Sequence, residues 1–186
     1  MEDLSCAIGP SWLALPQLPR EATGAVFGNR SHPTTRLCAG AVDLLCRQRQ
    51  PEAVLDVGTG TGLLARIARA RGAHFIVGTD IDPRALSCAA AHSALDAHPV
   101  QIHFSHEAPD YWGARFGLVV ANILEEPLRH LALALSRALL PGGLLLLSGF
   151  TRLQTPALRV HYERTELTCV RESHLDEWSL LMFELR

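Results

Sequence analysis

The chain has 186 residues, 48% of them apolar, with 17 basic and 19 acidic side chains. This length suits one domain with a sizeable core, and a net charge of −2 gives no electrostatic footprint for a nucleic-acid backbone. No apolar run approaches the ~20 residues of a membrane span, and Glu2 and Asp3 stand where a secretory leader would be basic, so a cytoplasmic protein is expected.

Residues 1–23 read as an irregular segment marked by Pro10, Pro16 and Pro19, and residues 24–186 as one domain. Pro33 opens an amphipathic helix through Leu37, Ala41, Val42, Leu44 and Leu45. The first strand is 53–57, followed by a helix over about 62–71, a strand at 74–79 and a helix from Pro83 to Leu95. Val100 to Phe104 forms a third strand, 106–115 a turn region, and Phe116 to Ala121 a fourth strand. Pro127 to Leu140 is a helix with leucines at 128, 131, 135 and 139, and Leu144 to Leu147 is a fifth strand. Two further β runs, Glu166 to Arg171 and Trp178 to Leu185, form a closing hairpin around 173–177. Alternating helices and apolar strands imply a parallel sheet covered on both faces, so the fold class is α/β. Cys6, Cys38, Cys46, Cys88 and Cys169 are odd in number and lack a C-x-x-C pair, which points to reduced thiols, mostly in the core. His103 and His106 diverge across a strand end, so no metal site is expected there.

The run Val54-Leu55-Asp56-Val57-Gly58-Thr59-Gly60-Thr61-Gly62 carries the most chemistry. A buried strand ends on alternating glycines, which let a backbone approach a ligand without Cβ clashes and accept positive φ where the chain enters a helix. The dinucleotide fingerprint needs a third glycine where Leu63 stands. The spacing D-x-G-x-G-x-G instead resembles that of S-adenosylmethionine-dependent methyltransferases.

Asp80 closes the second strand, where a carboxylate can accept both hydroxyls of a ribose. Ile81 follows it directly, and Asp82 before Pro83 reads as a helix N-cap. Asn122 ends the fourth strand and offers one acceptor and two donors, with turn capping before Glu125 as its competing role. The carboxyl ends of strands one, two and four, which carry Gly58, Asp80 and Asn122, define the expected ligand crevice. Tyr111 and Trp112 stand in a nearby turn; packing over the sheet edge is favoured over flanking a purine.

The segment Val26-Phe27-Gly28-Asn29-Arg30-Ser31-His32-Pro33-Thr34-Thr35-Arg36-Leu37-Cys38 resembles the A-F-G-T-G-x-H-P-T-T-x-L-C motif of PrmA-type enzymes. Those enzymes methylate a ribosomal protein of the large-subunit stalk base on lysine and N-terminal amines. Asp56 to Gly62, Gly78 to Pro83, Val119 to Leu124, Leu140 to Gly143, Leu147-Ser-Gly149 and Glu177-Trp178 match that family in order. The resemblance implies a Rossmann-like class I methyltransferase: a seven-stranded, mostly parallel sheet with helices on both faces and a C-terminal antiparallel hairpin.

It also implies S-adenosyl-L-methionine as cofactor, contacted by Thr35, Asp56, Gly58, Thr59, Gly60, Gly62, Asp80, Ile81 and Asn122. Asn122 is additionally the candidate catalytic residue. Two departures stand out: Asn29 replaces the family threonine and Arg30 a family glycine, which offers a cation for a carboxylate of cofactor or substrate. Residues 1–23 are too few for the independent N-terminal recognition domain of such enzymes, so only the catalytic domain is expected.

The acceptor implied is an amine of a protein or peptide, possibly ribosomal. A small-molecule acceptor and a non-catalytic cofactor-binding subunit are the alternatives. Asn122-Ile123-Leu124-Glu125 lacks the N-P-P-F/Y prolines and the aromatic platform for a flipped base, so no nucleic-acid substrate is expected. No residue stands out as a general base; His32 and Glu125 are available, with helix capping and surface charge as competing roles.

Overall fold

The computed structural model of the protein describes residues 31–96 and 98–186. The segment 1–23 and the motif residues Val26 to Arg30, including the departures Asn29 and Arg30, lie outside them. In chain order the elements are α1 (Pro33–Arg49), β1 (Ala53–Val57), α2 (Leu63–Ala70), β2 (Phe75–Thr79) and α3 (Pro83–Ala94). Then come β3 (Ile102–Ser105), a 3₁₀ turn (Pro109–Trp112), β4 (Phe116–Asn122), α4 (Glu125–Ala138), β5 (Leu139–Thr151), α5 (Thr155–Glu163), β6 (Leu167–Leu175) and β7 (Trp178–Leu185).

The strands form one sheet in the order β3-β2-β1-β4-β5-β7-β6. Pairing is parallel from β3 across to β5 and antiparallel where β7 inserts between β5 and β6. Side chains alternate along each strand, so every central strand feeds two cores. On one face Val54, Ile76, Val120 and Leu146 meet Leu37, Val42 and Leu45 of α1 and Ile67 of α2. On the other, Leu55, Val77, Val119 and Leu145 meet Leu128 and Leu135 of α4 and Leu158 and Tyr162 of α5. Among the described residues no helix is long and apolar enough to cross a membrane.

Several boundaries differ from expectation, each for a local reason. Helix α4 starts at Glu125, two residues before Pro127, because a proline in the first turn loses only an N–H that has no intrahelical acceptor. Strand β5 starts at Leu139: it pairs Phe116 with Leu139, then slips register to Leu118 with Leu144, absorbing Pro141-Gly142-Gly143 as an irregularity within the strand. The hairpin turn is tighter than 173–177, since Leu175 pairs directly with Trp178. Asp176, at φ 55, supplies the left-handed residue that a two-residue turn needs. Helix α5 is unforeseen; it buries only Thr155, Leu158 and Tyr162, and the Tyr162 hydroxyl donates to Leu128 O at 2.6 Å.

Of the four described cysteines, all free, Cys38 and Cys46 are core residues and Cys88 and Cys169 are half-buried. Trp112 packs edge-on against Phe75, which begins β2 and stacks on Phe116. This is the packing role, at the amino edge of the sheet and away from Asp80.

Two acidic residues clamp the helices. Asp43 of α1 pairs with Arg47 and with Arg71 just beyond α2. Asp96, after α3, receives Arg66 through Nε at 2.7 Å and Nη2 at 2.6 Å, and Arg69 at 2.6 Å. Both arginines are almost fully buried, at 1% and 2% side-chain exposure. Burial pushes the Asp96 carboxyl up, but the hydrogen bonds and charge of Arg66 and Arg69 outweigh it, and the net direction is down.

Removing that charge takes away the carboxylate that two buried guanidiniums share. Asp96→Asn should therefore lower unfolding stability by about 3 kcal/mol near neutral pH, measured by urea denaturation. The carboxylate contribution is full above the ordinary aspartate range and is lost as pH falls through the lowered folded value. The gap between wild type and variant should accordingly shrink in acid.

Candidate functional site

Strand β1 delivers Asp56 and then the glycine turn, because a parallel strand buried on both faces releases its chain only at its carboxyl end. Gly58, Gly60 and Gly62 take φ of 69°, 53° and 78°, which confirms the conformational demand read from their spacing. Gly62 is the left-handed N-cap of α2. The turn is stapled on two sides. Asp56 Oδ2 accepts the Thr59 hydroxyl at 2.7 Å and the Ala65 N–H at 3.2 Å. Across the crevice, Thr59 N–H donates to Thr79 O at 2.9 Å, and Gly60 N–H donates to Asp80 Oδ2 at 3.0 Å.

Asp80 thus has a part not evident from sequence: it holds the glycine turn as well as standing at the tip of β2. Its other oxygen accepts the Asp82 N–H at 3.0 Å. Each carboxylate oxygen keeps a further lone pair for a hydroxyl donor. Asp82 is the N-cap of α3, accepting from Arg84 N–H at 2.9 Å, as its place before Pro83 predicts. Ile81 is 97% exposed, an aliphatic side chain presented at the rim of the crevice.

Helix α1 brings Thr35 in its first turn. His32 is the N-cap, with its side chain accepting from Thr34 N–H and its ring lying edge-on to Trp178 at 4.9 Å. His32 therefore takes the capping role. Glu125 opens α4 and pairs with Arg129, which leaves it in the surface-charge role.

Four buried side-chain polar atoms among the described residues lack a hydrogen-bond partner: Thr35 Oγ1, Asp56 Oδ1, Asn122 Oδ1 and Trp112 Nε1. Buried polar atoms are nearly always paired. Three of these four belong to the site residues expected from sequence, at the start of α1 and the carboxyl ends of β1 and β4. Asn122 is only 7% exposed and Thr35 only 2%. Gly58 completes the arrangement by omission: a Cβ there would stand 2.2 Å from Ile123 Cγ2. What the sequence did not reveal is the packing of the Ile123 side chain, which presses the β4 terminus onto the glycine turn.

The Asp56 carboxyl is pushed up from its ordinary 3.8 to about 6 by burial, partly offset by Thr59 and Ala65 and reinforced by the charge of Asp80. A raised carboxyl favours the protonated form in the fold. Its contribution to stability is greatest below the unfolded value and declines as pH rises through about 6. The gap corresponds to roughly 3 kcal/mol.

Comparison with known proteins places this geometry. The family model for ribosomal protein L11 methyltransferase (PrmA) matches residues 5–186. A ribosomal protein L11 methyltransferase of Bradyrhizobium diazoefficiens is 40% identical over 162 residues, covering 84% of this chain and 55% of that protein. One from Geobacter sulfurreducens is 38% identical over 181 residues, covering 95% of this chain and 59% of its own length. The chain thus spans somewhat over half the length of these relatives.

A crystal structure of a ribosomal protein L11 methylase from Lactobacillus delbrueckii subsp. bulgaricus superposes with a TM-score of 0.80 at 28% identity, over 91% of this chain and 86% of that one. The N-methyltransferase NodS of Bradyrhizobium japonicum, solved with S-adenosyl-L-homocysteine, shares the fold at a TM-score of 0.63 and 17% identity, over 83% of this chain and 89% of that one. The fold is the Rossmann-like class I methyltransferase fold.

Asp56→Asn provides a check on the electrostatics. Its stability relative to wild type should rise by up to about 3 kcal/mol between pH ~4 and pH ~7, read from urea denaturation at several pH values. A pH-independent difference would contradict the raised carboxyl.

Proposed function

Because the chain belongs to the PrmA family of ribosomal protein L11 methyltransferases, we propose that it transfers a methyl group from S-adenosyl-L-methionine to an amine of a protein or peptide, ribosomal protein L11 being the first acceptor to test. The observation that carries this reading is the set of unpartnered buried oxygens, Thr35 Oγ1, Asp56 Oδ1 and Asn122 Oδ1, grouped around a positive-φ glycine turn.

The residues present fit the cofactor. Gly58, Thr59, Gly60 and Gly62 form a turn whose main chain is open to close approach, and Asp56 holds that turn from behind. Asp80 would accept the ribose hydroxyls, and Ile81 would lie against the base. Thr35, in the first turn of α1, offers a hydroxyl and free N–H groups to a carboxylate. Bound there, S-adenosylmethionine supplies a sulfonium methyl, already an activated electrophile.

The chain therefore has to bind and orient the acceptor more than to activate it. A lysine amine has a reference pKa near ~10.4, so freeing it at neutral pH costs roughly 5 kcal/mol. Burial of the amine beside the apolar Ile123 and Leu124 favours its neutral form without a dedicated base. Asn122 Oδ1 is a neutral acceptor that can take one amine N–H and aim the lone pair. The N-I-L-E sequence after β4 has no aromatic platform, which supports a protein acceptor over a nucleobase. A ribosomal substrate in turn supports a cytoplasmic location.

Calorimetric titration with S-adenosylmethionine should give micromolar binding, and titration with NAD none. Asp80→Ala should weaken S-adenosylmethionine at least ~30-fold, about 2 kcal/mol, while circular dichroism still shows a folded chain. Wild-type affinity in that variant would overturn the placement of the cofactor. Transfer of labelled methyl to a metabolite pool but not to ribosomal protein L11 would replace the protein acceptor by a small molecule.

A further inference from the structure

Gly149 lies in the Leu147-Ser-Gly149 motif, yet no role assigned so far uses it. It sits at φ +97°, a conformation that L side chains rarely adopt, at the irregularity between Ser148 and Phe150. A Cβ on Gly149 would stand 2.1 Å from Ile123 O, 2.7 Å from Ile123 C and 3.0 Å from Ile123 N. All three are main-chain atoms, so the neighbour cannot swing aside as a side-chain tip would. Strand β5 therefore presses on the Ile123 main chain from one side. Gly58 meets the Ile123 side chain from the other, where a Cβ would reach Cγ2 at 2.2 Å.

Asn122 pairs in register with Ser148 as the last rung between β4 and β5. The contact of Gly149 with Ile123 lies one residue beyond that rung. Asn122 Oδ1 is buried and has no hydrogen-bond partner. Its direction is consequently set by the backbone on either side, by the Ser148 rung before it and the gripped Ile123 peptide after it. The Ile123 carbonyl oxygen lies where a Gly149 Cβ would stand, and the buried Asn122 amide oxygen has no partner to compete with an incoming amine.

We propose that Gly149 is a positioning residue for the acceptor: by letting β5 seat the Ile123 peptide, it aims Asn122 Oδ1 at the N–H of the acceptor amine. This rests on the function proposed above. A methyl group on residue 149 would drive the Ile123 peptide back by roughly 1 Å, a misplacement that costs on the order of 100-fold in a positioned reaction. The ribose and carboxylate contacts proposed for the cofactor come from Asp80 after β2 and Thr35 of α1, not from β4 or β5.

Two ligands separate the positioning role from general damage. S-adenosylhomocysteine reports the cofactor site alone, whereas sinefungin carries an ammonium group in place of the sulfonium methyl and so also probes the acceptor side. In Gly149→Ala, S-adenosylhomocysteine should bind within about 3-fold of wild type while sinefungin weakens at least ~10-fold. Methyl transfer should lose on the order of 100-fold in kcat with KM for S-adenosylmethionine little changed.

Parallel loss of both ligands, or loss of neither in a folded variant, overturns the proposal. If Gly149→Ala does not fold, Asn122→Ala carries the test: it removes the oxygen that Gly149 is held to aim, and the same selective loss of sinefungin is expected. An unchanged ratio of the two affinities there overturns the proposal equally. Wild-type protein that binds neither ligand overturns the cofactor reading itself, and this inference with it.

Discussion

The Asp56 carboxylate, buried at the end of β1, is the interaction on which the site depends. A parallel strand covered on both faces has nowhere to send its chain except through a turn at its carboxyl end. Asp56 Oδ2 reaches forward to the Thr59 hydroxyl and the Ala65 N–H, tying the turn to the first turn of α2. The turn is thereby held from within its own βα unit, and its three left-handed glycines close a loop too tight for side chains. The arrangement carries an electrostatic cost, visible as the upward push on the Asp56 carboxyl. Raised carboxyls concentrate where function rather than stability sets the environment.

The rest of the crevice is assembled by contacts from neighbouring strands onto that turn. Asp80 reaches it from β2 through Gly60 N–H, and Ile123 reaches it from β4 where Gly58 lacks a Cβ. Strand β5 closes the sequence through Gly149. The glycine turn and the end of β5 are therefore mechanically joined at one residue, Ile123, whose side chain meets Gly58 and whose main chain meets Gly149. Helix α1 is held separately, by its His32 cap against Trp178 of β7 and by Asp43 against Arg71. Thr35 thus owes its position to the antiparallel hairpin at the other end of the chain.

Much of this was legible in the sequence, and the reasons are physical. Apolar strands ending on acids or an amide, at Asp56, Asp80 and Asn122, announce the carboxyl edge of a parallel sheet, because there a polar side chain meets the N–H groups of the following turn or a ligand in the crevice. Alternating glycines announce the turn, since no other residue accepts its dihedral angles cheaply. Asp82 before Pro83 announces a cap. Helix α5 was not legible: only Thr155, Leu158 and Tyr162 are buried, and the apolar Val160 is exposed, so the helical period is weak. The start of β5 was hidden because Pro141-Gly142-Gly143 reads as a break in any one-dimensional pattern. Only the slipped pairing with β4 reveals the strand as continuous.

The sequence by itself determined the α/β class, the glycine turn and the residue types at the three strand ends, because each is dictated by local dihedral demands and by side-chain alternation. Tertiary structure alone decided what those residues do for one another. That Asp80 holds Gly60, that two buried arginines share Asp96, and that Ile123 is gripped between Gly58 and Gly149 are contacts between segments distant along the chain. No local pattern encodes them, since they arise only when the strand order brings separate turns to one edge of the sheet.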